Sequence, residues 1–189
     1  MSYFDEAYEK TMEHEGYYSN DPDDPGGETY KGISRIFNPS WDGWKLIDLY
    51  KTIDGFPSNL KFMDNLQKTV KIFYKLKYFD VFCGDELDKN LAMKMFDCAV
   101  NLGTYRAILF LQKSLNVLNR NEKLYKDLFE DGSYGKKTHT TLKTYLITDS
   151  SELLAKLIMI QQGNYYFETM RKSPSQEKYA RGWFNRIYL

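Results

Sequence analysis

The stretch "EHEGYYSNDPDDPGGETYKGIS", Glu13 to Ser34, joins two kinds of backbone. Leading into it, Phe4, Ala7, Tyr8, Thr11 and Met12, with Glu15 just inside, recur at three- and four-residue steps, which is one face of a helix. Gly16 supplies a stop for that helix. From Tyr17 to Ser34 the punctuation is dense: Asn20, Pro22, Pro25, Gly26, Gly27 and Gly32. That spacing is too broken for a helix and predicts a loop with room for a short hairpin.

Beyond Ser34 helical periodicity returns. One segment is expected over Trp41 to Ile53, carried by Trp44, Ile47, Leu49 and Tyr50. "GFPSN" interrupts, and Ser58 or Asn59 is placed to cap a helix over Leu60 to Tyr78 with the stripe Phe62, Leu66, Val70, Phe73, Tyr74 and Lys77. "LAMKMFDCAVNLG" predicts a helix from Leu91 that Gly103 ends, and "YRAILFLQKSLNVL" another over Tyr105 to Leu118. "EDGSYGKKTHTTLKTYL" reads as a turn leading into a helix. "SELLAKLIMIQQGNYYFETM", Ser151 to Met170, is the longest striped stretch, with Ser150 or Ser151 as its cap. The fold class is mainly α.

A chain of 189 residues with 42% hydrophobic and 28% charged content suits one domain, or one domain with a closely packed lobe. Lys and Arg number 26 and so do Asp and Glu, which leaves no global field for nucleic acid or an anionic membrane surface. Cys83 and Cys98 form no CxxC pair and are read as reduced thiols. Asp5, Glu6 and Glu9 stand where a signal peptide needs a basic start and an apolar core. No apolar run reaches the length of a membrane span. Synthesis in the cytoplasm without a signal peptide is therefore expected, with any work outside it depending on a separate release route.

The opening stretch also carries chemistry. Glu15 lies on the apolar face of its helix at the C-terminal end, where burial and the negative helix terminus both oppose ionisation and favour a general acid. An ordinary helix-terminal glutamate in water fits the same spacing. His14, one step round, reads as a cation complementing the helix end. Asp21, Asp23 and Asp24 offer a second carboxylate on the loop, and a protonated and an ionised carboxyl facing each other across a cleft can hydrolyse a glycosidic bond. Gly26 and Gly27 permit a tight turn or a close approach to a ligand. Thr29 and Tyr30 bring hydroxyls that could place a water or a sugar. The same residues also make a plain acidic turn. A calcium loop fails, because Gly32 stands where an EF-hand needs a bidentate glutamate.

Taken together, "HEGYYSNDPDDPGGETYKGIS" resembles the N-terminal signature of glycoside hydrolase family 108, the bacterial and phage N-acetylmuramidases. One departure is Tyr17, where many members have a second glycine. The resemblance implies a lysozyme-like helical bundle with a small irregular or β-hairpin active-site loop, and Glu15 as catalytic acid. Related phage lysozymes place an aspartate after an eight-residue gap, which Asp24 meets, and a threonine further on. Thr29 arrives one position early for that threonine, and Tyr30 occupies the matching place. No metal or organic cofactor is implied.

The resemblance extends along the chain. "FDCAVNLG" is similar to a family segment and sets Asp97 and Asn101 four apart on one helical face, within reach of a sugar cleft or of mid-bundle hydrogen bonds. "LQKSLN" with "DGSYGKKTHTTL" resembles a small helical peptidoglycan-binding unit whose framework residues would be Leu111, Gln112, Leu115, Asp131, Gly132, Gly135 and Thr138. There Gly132 and Gly135 would allow the turn and Thr138 would cap or begin the helix. In "GWFNR", similar to a C-terminal signature, Trp183 could stack on a sugar or pack the last helix, and Arg186 could pair with a carboxylate.

The expected organisation is a lysozyme-like catalytic lobe over residues 1–102 and a helical lobe resembling a peptidoglycan-binding domain over 103–189, packed on the first. The expected activity is hydrolysis of the β-1,4 bond between N-acetylmuramic acid and N-acetylglucosamine. Its partner would be bacterial peptidoglycan, met by a monomer without nucleic acid or membrane insertion. Glu15, Asp24 and Thr29 are the candidate catalytic residues, and Tyr30, Asp97, Asn101 and Trp183 the candidate substrate contacts. A wall-binding protein without catalysis and a secretion-accessory factor are the competing readings; a holin-type or dedicated route would carry a hydrolase to the wall.

Overall fold

The structure is a computed structural model and describes residues 2–12, 17–21 and 26–187. It is mainly α, with a small three-stranded antiparallel sheet, and divides into two compact units, Met1–Lys77 and Tyr78–Leu189.

In the first unit α1 (Tyr3–Met12) buries Phe4, Ala7 and Thr11, three residues of the predicted stripe. Its start is fixed reciprocally: Ser2 N donates to Asp5 Oδ2 at 3.0 Å and Asp5 N donates to Ser2 Oγ at 3.2 Å. The hairpin region forms β1 (Tyr18–Ser19), β2 (Thr29–Tyr30) and β3 (Ile33–Ser34), with Tyr30 opposite both Tyr18 and Ile33. Helix α2 (Gly43–Tyr50) is shorter than its periodicity predicts; Trp44 and Ile47 are buried while Leu49 faces solvent. The next helix also starts later than expected. Ser58–Phe62 is a separate 3₁₀ turn, Met63 adopts an extended φ/ψ of −89°/93°, and α3 runs Asp64–Tyr74. Neither Ser58 nor Asn59 caps it. That break swings Phe62 out of the stripe to 73% exposure, while Leu66, Val70 and Tyr74 stay buried. Helix α3 meets α1 through the Tyr8 and Tyr74 rings, 5.8 Å apart, and through Lys71 Nζ, 2.6 Å from Asp5 Oδ1.

The second unit is built on α4 (Lys89–Leu102), α5 (Thr104–Leu118) and α7 (Ser151–Lys172), which pack against one another. Asp88 caps α4 by accepting from Asn90 N and Leu91 N, and Ser150 caps α7 by accepting from Glu152 N and Leu153 N. Leu91, Met95 and Phe96 of α4 close the core with Leu111 and Leu115 of α5 and Leu154 and Ile158 of α7. Each such side chain stabilises the fold by about 1.5–3 kcal/mol before chain entropy is charged against it. Cys98 lies inside this core, and burial pushes its thiol up to about 12. Helix α6 (Lys136–Thr148) packs on α5, while a 3₁₀ turn (Pro174–Tyr179) and α8 (Ala180–Phe184) fold onto α7. Among the described residues no helix is long and apolar enough to cross a membrane.

The turn leading into α6 is organised by one buried side chain, Gln112. Its Nε2 donates to Asp131 Oδ1 (2.9 Å), Ser133 O (3.1 Å) and Thr138 Oγ1 (3.2 Å), and its Oε1 accepts from Gly132 N (2.8 Å). Thr138 does not cap α6, whose N-cap is Gly135; its hydroxyl reaches back to Ser133 O at 3.3 Å. The two glycines differ in what they require. Gly132 has φ +66°, and a Cβ there would lie 2.4 Å from the Tyr105 ring and 2.8 Å from the Tyr105 carbonyl oxygen. Gly135 has φ −91° and open space around its Cα. Gly132→Ala is therefore expected to cost about 3 kcal/mol through left-handed strain and overpacking. Gly135→Ala should cost about 1 kcal/mol or less. Urea unfolding midpoints of the two variants check the contrast.

Candidate active site

The described part of the candidate site is the turn that follows the acidic stretch, from Gly26 to Arg35. Gly27 has φ +60°, and a Cβ there would lie 2.8 Å from Ile36 Cδ1, so the turn needs its glycine. Ser34 Oγ donates to Gly26 O at 2.6 Å, Thr29 Oγ1 to Gly27 O at 3.1 Å, and Arg35 N to Glu28 O at 2.8 Å. These bonds close the Gly26–Gly27 corner onto β3.

A charged cluster holds the same corner against α2. Glu28, only 11% exposed, accepts from the Tyr18 hydroxyl at 3.0 Å and faces Lys51 Nζ at 2.7 Å. Arg35 Nε lies 3.0 Å from Glu28 Oε2, an ion-pair contact off the hydrogen-bonding axis. The guanidinium spends its terminal nitrogens on Asp48, with Nη1–Oδ2 at 3.1 Å and Nη2–Oδ1 at 2.7 Å. Lys51 adds a contact to Asp48 Oδ1 at 3.2 Å. Hydrogen bonding to Arg35 holds the Asp48 carboxyl below its ordinary range, with Lys51 adding to it. A depressed carboxylate contributes its stability above the unfolded value, about 3.9, and loses it as pH falls through the folded one. The brace therefore persists at neutral pH and loosens only in acid.

A second cluster holds the β2–β3 turn against α3. Gln67 Nε2 donates to the Tyr30 hydroxyl at 2.9 Å and to Leu60 O at 2.8 Å, and its Oε1 accepts from Lys31 Nζ at 2.7 Å. The Tyr74 hydroxyl donates to Lys31 O at 2.7 Å. Lys31 takes a positive φ of 45°, and burial lowers its ammonium pKa. Tyr30 is 1% exposed and belongs to the core; burial raises its phenol pKa. Its hydroxyl faces Gln67 and Leu60, which makes it a support for the turn. Thr29 is half-buried, with its hydroxyl turned to the Gly27 carbonyl. Glu15 and Asp24 lie outside the described residues, as do His14 and Asp23.

The other three candidates come together in the second unit around Tyr166. Asn101 Oδ1 accepts from the Tyr166 hydroxyl at 2.6 Å, and the Trp183 ring lies 5.1 Å from the Tyr166 ring. Gln162 Nε2 donates to the same hydroxyl at 2.8 Å and lies 3.5 Å from Asp97 Oδ2. Lys94 Nζ reaches Asp97 Oδ2 at 3.2 Å and Arg186 O at 3.2 Å, and Arg186 Nη1 stands 3.5 Å from Asp97 Oδ1. Asp97, Asn101 and Trp183 thus join α4, α7 and α8 through a largely buried polar network. Burial raises the Tyr166 phenol pKa strongly.

Glu28, Arg35, Lys51 and Gln67 were not visible as site-building residues in the sequence. Glu28 sits inside the quoted stretch but differs from its acidic neighbours only through partners 7 and 23 residues away. Gln67 carries no pattern of its own, because it lies one step beyond the buried Leu66.

Comparison with known proteins adds a family to this geometry. A search of curated proteins finds no match. The structure of SagA from Brucella abortus matches over 97% of this chain and 88% of that one, with a TM-score of 0.61 at 20% identity, a likeness of fold. A family model described as "Predicted Peptidoglycan domain" matches residues 106–188. A second, "Glycosyl hydrolase 108", matches residues 8–103, a span that holds the acidic stretch, the braced hairpin and α4. That match takes in more than half of the 189 residues, and the chain accordingly belongs to the glycosyl hydrolase 108 family.

Proposed function

We propose that this peptidoglycan-directed glycoside hydrolase is an N-acetylmuramidase, cleaving the β-1,4 bond between N-acetylmuramic acid and N-acetylglucosamine. The observation that carries the reading is the braced corner at Gly26–Gly27, two residues after Asp24 in a family 108 chain. A catalytic carboxylate needs support firm to a fraction of an ångström, and the Glu28 and Gln67 clusters hold the hairpin that follows Asp24 in sequence from two sides. Glu15 acts as the general acid, giving its proton to the leaving oxygen as the bond to the anomeric carbon breaks. Asp24 stabilises the oxocarbenium-like centre or orients the water that adds to it. Thr29 supports the loop through the Gly27 carbonyl.

Residues 1–102 serve as the catalytic lobe and 103–189 as the wall-directed lobe, working as a monomer. A holin-type or dedicated export route brings the chain to the wall. The bond specificity is tested by incubating purified sacculi with the protein, reducing the products with borohydride and identifying them by mass spectrometry. Muramitol at the new ends is the expected result. Glucosaminitol ends would make the enzyme a glucosaminidase, and sacculi that bind protein without releasing fragments would make the chain a wall-binding module.

A further inference from the structure

The segment matched as a peptidoglycan domain has a groove of about 370 Å³ between α5 and α7. Val117, Leu157 and Ile160 form its apolar lining, and Val117 and Ile160 are 77% and 59% exposed. Lys113 and Glu130 stand at the same groove with opposite charges. Among the described residues Lys113 has no ion-pair partner, and Glu130 is steadied by Asn116 Nδ2 at 3.2 Å. Gln161 brings an oriented amide. Its Nε2 is committed to Phe110 O at 2.9 Å and Ser114 Oγ at 2.7 Å, so the carboxamide oxygen remains as an acceptor. Ser114 itself donates to Phe110 O at 2.8 Å and has no donor left to offer.

We infer that this groove binds the peptide stem of peptidoglycan, an inference that rests on peptidoglycan being the substrate. The chemistry of the lining separates peptide from glycan. Sugar subsites use aromatic faces and free polar groups, whereas among the described residues this groove has no aromatic lining and the hydroxyl of Ser114 is engaged. A stem peptide offers alanine methyls for the apolar lining and amide N–H groups for Gln161. Its terminal carboxylate complements Lys113, and the amine of its diamino acid complements Glu130. The contact area is small and open, so the affinity is weak, on the order of a millimolar dissociation constant. Weak binding is adequate on a polymer, since a second contact to the same strand acts at high effective concentration.

The test is methyl NMR of the full chain titrated with free stem tetrapeptide and, separately, with the peptide-free disaccharide. The expected result is saturable movement of the Val117 and Ile160 methyls with tetrapeptide and none with disaccharide. Lys113→Glu and, independently, Ile160→Ser should each weaken the peptide at least about fivefold while methyl dispersion is retained. The inference is overturned if the tetrapeptide leaves those methyls unmoved, if the disaccharide moves them instead, or if both folded variants bind like wild type. Sacculus digestion is read separately. Digestion without peptide binding sinks the groove alone, and peptide binding without digestion sinks the hydrolase reading alone.

Discussion

Glu15→Gln is expected to lower the rate of fragment release from sacculi by about 10³-fold, within the usual range for loss of a general acid. In free-energy terms that is about 4 kcal/mol of transition-state stabilisation. Glutamine keeps the shape and the hydrogen-bonding capacity of the side chain but has no proton to deliver to a departing alkoxide. Sacculus binding should survive, because the substitution removes an interaction made in the transition state and leaves ground-state contacts alone. The measurement is release of reducing ends against time, alongside thermal unfolding and pelleting with sacculi. Wild-type release by the folded variant would remove Glu15 from the chemistry. Glu28 would be a poor substitute, because its oxygens are already engaged by Tyr18, Arg35 and Lys51.

The helices were legible in the sequence wherever the apolar stripe runs unbroken. Helices α4, α5 and α7 follow their periodicity closely, and Ser150 caps α7 from a position the sequence marks. Periodicity is blind to a single extended residue, however. Phe62 stands four residues before Leu66 and continues the stripe on paper, but Met63 breaks the helix between them and turns Phe62 to solvent. The family matches and the packing divide the chain at different places. Gly103 punctuates the sequence between two helices, and the two family matches meet beside it at residues 103 and 106. Packing instead places α4 in the same compact unit as α5 and α7. Asp97 and Asn101 belong with Trp183 for that reason: Gln162 and Tyr166 each meet them across 65 residues, and the Tyr166 ring passes the contact on to Trp183. Glu15 and Asp24 were singled out on local pattern and lie outside the described residues, whereas the braces around the Gly26–Gly27 corner come from long-range pairs that leave no local trace.

Those braces lead to the second large effect, at Glu28. Glu28→Ala is expected to destabilise the protein by about 2 kcal/mol and to lower hydrolysis about 10- to 100-fold. The stability term follows from what is left behind. Arg35 and Lys51 would then share Asp48 alone, two cations on one carboxylate, and the Tyr18 hydroxyl would lose its acceptor. Both cations are about one-third exposed, so water recovers part of the loss and the cost stays below that of a fully buried broken pair. The activity term has a different origin. Glu28 directly follows the Gly26–Gly27 corner, and a corner freed by even 1 Å moves any group carried on the preceding loop out of alignment. Glu28→Gln separates the two terms, because it keeps an acceptor for Tyr18 while discarding the charge that holds Arg35 and Lys51. Its activity should fall between wild type and Glu28→Ala, and a rise in salt should reduce wild-type stability toward the Gln variant as the ion pairs are screened. Melting temperatures and hydrolysis rates for the three proteins decide the matter. Activity lost in Glu28→Gln with an unchanged melting temperature would move Glu28 from the brace into the chemistry. Two variants indistinguishable from wild type would reduce the cluster to a solvated surface network with no hold on the loop.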